Sequence, residues 1–238
     1  MKPIPVLMYH NIATAPKGVK LRGLYISPRR FARQMALLHW LGYQGLSMSA
    51  AMPYLRGERE GKVAVITLDD GYRDNLEYAM PVLQRHGFTA TCYVVSAAIG
   101  TDNHWDAQHL GTHKPLMNVH ELHRWQEAGM EIGAHSRHHL RLPELNEPEL
   151  DDEVAGSKRE LEGLLAVPVT QFCYPYGAVG LREREAARRA GFVAAVTVRR
   201  GRVLPGADLM DLPRVMVGGH HAPHVFPLQL LTRHEERH

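Results

Sequence analysis

Cysteine is nearly absent: the 238 residues hold only Cys92 and Cys173. Both sit in apolar, strand-like runs, which excludes a disulfide framework and a zinc–thiolate site and leaves two small core side chains. No apolar run approaches the ~18 residues that a membrane span needs. The opening Met1-Lys2-Pro3-Ile4-Pro5 has too short an apolar run for a secretory segment, and His10 interrupts it. A cytoplasmic location is therefore expected; a misassigned start would make it extracytoplasmic. No block of like charge stands out and the net charge is only +3, so nothing points to nucleic acid as a partner. Internal repeats and low-complexity linkers are also missing, and one domain over residues 1–238 is expected.

What is present is an ordinary globular composition, 45% hydrophobic and 22% charged, with an unusual 16 histidines. The chain is organised around residues 63–75. Val63-Ala64-Val65-Ile66-Thr67-Leu68 reads as a strand buried on both faces, and it delivers Asp69-Asp70-Gly71 before a helix-like segment over 75–86, kinked at Pro81. Adjacent strand residues point to opposite faces, so Asp69 and Asp70 share one site only where the backbone turns. A polar turn without chemistry is the competing reading of Asp-Asp-Gly.

Further strands are expected over 4–9, 89–95, 130–134, 169–174, 192–198 and 212–217. Helices are expected over 28–41, behind a Ser27 cap, and over 49–55, 147–165 and 182–190. Asn118 with Glu121 reads as a capping box, and a C-terminal helix closes the chain. Residues 97–115 read as a long loop carrying His104-Trp105-Asp106. Short buried strands alternating with helices argue a parallel α/β fold, better closed as a barrel than opened as a sheet with a second domain. Such a barrel gathers His10, Asp69-Asp70, His135-Ser136-Arg137-His138-His139 and Tyr174-Pro175-Tyr176-Gly177 on one rim.

His135 and His139, spaced as on one face of a helical turn, can chelate a transition metal. A carboxylate beside two imidazoles leaves positions free for water and substrate. His138 is the competing ligand.

Thr67-Leu68-Asp69-Asp70-Gly71, His135 to His139 and Tyr174 to Gly177, in that order, resemble the polysaccharide deacetylase family, the NodB homology domain of carbohydrate esterase family four. The opening Pro5-Val6-Leu7-Met8-Tyr9-His10 is similar to that of its poly-N-acetylglucosamine deacetylase branch. The resemblance implies a distorted (β/α) barrel of about seven strands. It also implies a carbohydrate substrate and a hydrolase that removes N-acetyl groups from an amino sugar. Asp70, His135 and His139 would bind a divalent metal, zinc first, with Ni2+, Co2+ or Fe2+ as alternatives. Asp69 would be the general base and His10 the general acid, while Pro175 and the backbone N–H of Tyr176 would face the substrate.

Where the family's third motif has an arginine, this chain has Cys173; Arg214 is the candidate replacement. Trp105 is a candidate sugar-stacking platform, with loop anchoring as the alternative. His221 and His224 compete with His10 as proton donor. Two other functions stay open at this point: hydrolysis of a non-glycan amide or formamide on the same fold, and an inactive sugar-binding domain.

Overall fold

The computed structural model describes residues 2–236 apart from 205 and 233. Its strands are β1 (Val6–Tyr9), β2 (Gln44–Leu46), β3 (Val63–Leu68), β4 (Thr91–Val94), β5 (Glu131–Ala134), β6 (Gln171–Cys173), β7 (Ala194–Arg200) and β8 (Leu212–Met216). The helices are α1 (Pro28–Trp40), α2 (Met48–Leu55), α3 (Met80–Arg85), α4 (His104–Leu110), α5 (Val119–Glu127), α6 (Glu147–Asp151), α7 (Ser157–Leu165), α8 (Leu181–Arg189) and α9 (Val225–Leu231).

Pairings among these strands are all parallel. They run β1-β8-β7-β6-β5-β4-β3, and β1 pairs back onto β3, closing a ring of seven. The eighth strand, β2, lies outside the ring along the first half of β3. The architecture is the expected distorted (β/α) barrel.

Side-chain alternation divides the core in two. Val6, Val63, Val65, Tyr93, Cys173, Ala194, Val196 and Leu212 fill the barrel, together with Met48, Ala51 and Leu55 of α2. Their strand neighbours Leu7, Tyr9, Ala64, Ile66, Leu68, Ile132 and Ala134 face the helices and meet Phe31, Met35, Leu83, Trp125 and Leu161. Each fully buried aliphatic side chain contributes roughly 1.5–3 kcal/mol. Gly133 is one position that must stay small: a Cβ there would stand 2.5 Å from the Tyr93 ring.

Continuing the inward parity of each strand toward its C-terminal end reaches His10, Asp69, His135 and Arg214. Strand periodicity thus aims four functional side chains into the mouth of the barrel before any loop geometry matters.

Four expectations need correction. The segment 97–115 is not a plain loop, since it contains α4. The helix expected over 147–165 is interrupted by a π turn at Asp152–Gly156. Another π turn, Asn75–Ala79, runs into α3 without a break in the helical backbone, so Pro81 does lie inside a helical run, but the irregularity takes the form of a π turn just before it. Strand β2 was not anticipated; three residues, Gln44–Leu46, are too few to show a period.

Candidate metal centre and active site

Strand parity turns Asp70 away from the barrel mouth, and the backbone reverses that. Asp70 takes φ 75°, a left-handed conformation, and swings its carboxylate back beside Asp69. Gly71, at φ 78°, completes the turn. The histidine pair is built in a related way rather than by a helix. Ser136 (φ 61°) and His139 (φ 59°) are left-handed, and the Ser136 hydroxyl accepts the His139 N–H at 3.0 Å. Tyr176 (φ 57°) is a fourth such residue on this rim. Left-handed non-glycine residues cost on the order of 1–3 kcal/mol each, and they concentrate at sites the surrounding structure over-determines.

The turns bring Asp70, His135 and His139 together, all buried, with one ligand atom of each within 4.8 Å of the others. Nε2 of His135 and Nε2 of His139 both lie 3.5 Å from Oδ1 of Asp70. Tetrahedral ligands ~2.1 Å from a cation stand ~3.4 Å apart, so the set fits a divalent transition metal. Nδ1 of His135 lies 2.7 Å from the Cys173 carbonyl and donates to it, which turns Nε2 toward Asp70. Burial lowers the His135 pKa, but Cys173 and the Asp70 hydrogen bond outweigh it and raise it well above the ordinary value, so a cation bound at Nε2 would displace its proton. Burial, then the neighbouring His135, hold the His139 imidazole down to about 3, so that ring offers a lone pair at neutral pH. Burial pushes the Asp70 carboxyl up, but the His135 hydrogen bond and the surrounding imidazoles outweigh it and hold Asp70 ionised. An overlapping group of Asp69, His135 and Cys173 is the poorer cation site. Burial pushes the Cys173 thiol up and keeps it protonated, and both Asp69 oxygens are already taken.

Arg214 takes those oxygens. Its Nη1 and Nη2 each donate to one Asp69 oxygen at 2.7 Å, a bidentate fork from β8 to β3, the two strands that flank β1. The fork is fixed by Nε donating to the Thr197 carbonyl at 2.8 Å and by Nη1 donating to the Thr67 hydroxyl at 3.1 Å. The Cys173 sulfur lies 3.3 Å from Nη2, so the small side chain in the third motif makes room for an arginine arriving from another strand. Burial raises the Asp69 pKa, yet the Arg214 charge and hydrogen bonds bring it below the usual carboxylate range. Nε2 of His10 stands 3.8 Å from Oδ2 of Asp69.

These residues open into a cleft of about 440 Å³, lined also by Leu21, Leu24, Asp106, His109, Arg141 and Tyr176. A larger cavity of about 760 Å³ lies at the other end of the barrel, beside Ile4 and Val63, and holds none of the candidate residues. The chemistry belongs to the smaller one, at the C-terminal strand ends.

Trp105 does not line the cleft; its indole lies across the His139 ring at 5.0 Å and 27°, with its far side in a small apolar cluster. The aromatic ring that does line the cleft is Tyr176, edge-on to His139 at 4.6 Å, under the Arg141 guanidinium and 3.3 Å from Asp106 through its hydroxyl. Pro175 is buried beneath it. His138 points elsewhere, its Nδ1 bound to Glu153 and its side chain 46% exposed. His221 and His224 stand on the turn before α9, outside the cleft lining. Asp106 and His109 were not singled out as cleft residues; their helical spacing on α4 was the available signal, hidden by reading 97–115 as a loop.

A family profile described as polysaccharide deacetylase matches residues 56–195. The chain belongs to the polysaccharide deacetylase family. YxkH of Bacillus subtilis (strain 168), which carries a provisional polysaccharide deacetylase name, is 30% identical over 216 residues, 90% of this chain and 71% of its own. A poly-β-1,6-N-acetyl-D-glucosamine N-deacetylase of Staphylococcus aureus (strain MRSA252) is 19% identical over 208 residues, 83% of this chain and 69% of its own. Among solved structures, the Streptococcus pyogenes deacetylase PplD in complex with acetate superposes with a TM-score of 0.82 at 21% identity, covering 96% of this chain and 98% of PplD. At that identity the likeness speaks for the fold. The matched family span includes Asp69, Asp70, His135, His139 and Tyr176, whereas His10 and Arg214 lie outside it.

The geometry separates the two rival histidines. His139→Ala should abolish uptake of a stoichiometric divalent ion together with activity, while His138→Ala should leave the ion bound. Metal content after dialysis and acetate release read the two; the reverse order would move the ligand to His138.

Proposed function

We propose that the protein is a metal-dependent hydrolase that removes an N-acetyl group from an amino sugar in a polysaccharide or glycoconjugate. The observation that carries this is a juxtaposition. A carboxylate locked in an arginine fork and an imidazole 3.8 Å away sit in one cleft with a separate Asp-His-His set of metal-ligand geometry. A binding domain needs no such spare acid–base pair. Membership of the polysaccharide deacetylase family and the S. aureus relative support the carbohydrate substrate.

Asp70, His135 and His139 would hold the ion, with zinc the best match to two imidazoles and one carboxylate. When bound, such an ion supplies Lewis acidity, activating water and polarising the acetyl carbonyl. Asp69, ionised and immobilised by Arg214, accepts the proton of the attacking water. His10 protonates the departing amine nitrogen, without which an amide does not break. The N–H of Tyr176, presented by its left-handed backbone, faces the developing oxyanion, and its ring offers the sugar an apolar face.

Acetate release from N-acetylglucosamine oligomers, lost on chelation and restored by Zn2+, is the expected result. Turnover of a non-glycan amide alone, or none with the metal restored, would overturn the reading. His10→Ala should keep the metal and lower kcat for an acetamide by ~10²–10⁴-fold. An activated acetyl ester, whose leaving group departs unprotonated, should suffer far less. Equal losses on amide and ester would remove His10 from the mechanism.

A further inference from the structure

The turn between the two ligating histidines is held from outside the site. Ser136 and His139 are left-handed, which leaves the intervening amides without a regular backbone partner. Glu153 supplies one. A single carboxylate oxygen, Oε2, accepts the N–H of Arg137 at 3.0 Å and the N–H of His138 at 2.9 Å, and Oε1 takes Nδ1 of His138. Glu153 is 4% exposed, and among the described residues its ion-pair partner is His138 rather than a lysine or arginine. A carboxylate this buried is retained at a cost unless its hydrogen bonds serve a purpose.

Its carrier is unusual as well. Glu153 lies in the π turn Asp152–Gly156, an insertion of the kind that recurs where a helix must aim a side chain. Gly156 of the same turn has no room for a Cβ, which would meet Cδ of Arg137 at 2.6 Å. Arg137 therefore lies flat across the π turn and reaches Asp152 and Glu160. On the other flank, the Ser136 and Arg137 carbonyls accept the N–H groups of Ser96 and Ala97. The turn is fastened on both sides, and among the described residues Glu153 is the buried charged side chain that binds its backbone amides.

We propose that Glu153 is a positioning residue for the metal centre: by binding the Arg137 and His138 amides it fixes the turn that sets the separation of His135 and His139. The assignment rests on the metal reading above, so the experiment has one arm that needs no metal. Amide exchange at Arg137 and His138 in the metal-free protein reads the turn itself. Competition with a chromophoric chelator reads Zn2+ affinity.

Glu153→Ala should speed exchange at both amides at least about tenfold and weaken Zn2+ binding ~10–100-fold. Glu153→Gln, which keeps an oxygen for both amides, should restore most of each. Glu153→Asp withdraws the carboxylate by one methylene; it should fold and fall between, and it replaces the alanine variant if that one does not fold. Leu55→Ala, in the core at the other end of the barrel, controls for plain destabilisation and should lower Tm without moving Zn2+ affinity. Wild-type exchange in the Ala and Asp variants would overturn the proposal, as would a Zn2+ loss no larger than that of Leu55→Ala. A wild-type protein that takes up no Zn2+ would instead sink the metal reading, and the exchange arm would still decide the role of Glu153.

Discussion

Asp69→Asn should lower kcat by ~10²–10⁴-fold while the protein still takes up its divalent ion. An amide oxygen is too weakly basic to take a proton from water, so the step assigned to Asp69 has no substitute. The metal should stay, because the proposed ligand set is Asp70, His135 and His139, with Asp69 outside it. The substitution also disturbs the fork: one Arg214 donor keeps an oxygen acceptor, while the other faces an NH2 group. A moderate loss of Tm should therefore accompany the loss of turnover. Metal content, kcat and KM measured on one preparation check it. Turnover within a few-fold of wild type would place the base elsewhere, and joint loss of metal and activity would make Asp69 a ligand.

The second large effect is on stability. Arg214 is 1% exposed and Asp69 2%, so Arg214→Met strands a carboxylate inside the barrel. Breaking a buried pair from one side typically costs ~3–5 kcal/mol, because the remaining charge is uncompensated. Arg214→Lys should recover only part, since one ammonium cannot reproduce a two-pronged contact. The double variant Asp69→Asn/Arg214→Met should be more stable than Arg214→Met alone and remain inactive. Urea unfolding of the four proteins closes the cycle. A loss below ~1 kcal/mol for Arg214→Met would mean that the pair behaves like a surface one.

How far the fold could be read depended on which elements carry a period. Strand β3 was legible because a doubly buried strand is a nearly continuous apolar run, and the Asn118–Glu121 capping box announced α5. Helix α4 escaped because His104, Asp106, Gln108 and His109 make its exposed side indistinguishable from a polar loop. The π turns escaped because nothing in Asp152–Gly156 departs from ordinary helix composition.

At the site, residue identities were more legible than geometry. His135 and His139 were paired for their helical spacing, yet two left-handed residues achieve the pairing instead. Arg214 was the candidate replacement for the family's missing arginine; its contact with Asp69 depends on β8 and β3 flanking β1 in the closed ring, a relation no local pattern encodes. Glu153 was lost among the acids of a charged helix, since sequence does not say which one faces inward.

The closure of the ring through β1 bears on how the chain reaches its native state. Residues 6–9 pair with 65–68 on one side and with 215–216 on the other. A growing chain can dock its first strand early against β3, but the second edge of that strand waits until nearly the whole chain has been made. Contacts of such sequence separation form slowly, because a long loop must be closed before they give anything back. Until then the edges of β1 and β8 are bare and open to pairing with other chains. His10 follows directly on β1, and Arg214 lies within β8. The proposed proton donor can thus meet Asp69 when β1 docks on β3, but the Arg214 fork that orients the proposed base waits for the last seam to zip, so catalytic competence should appear only with the final folding phase.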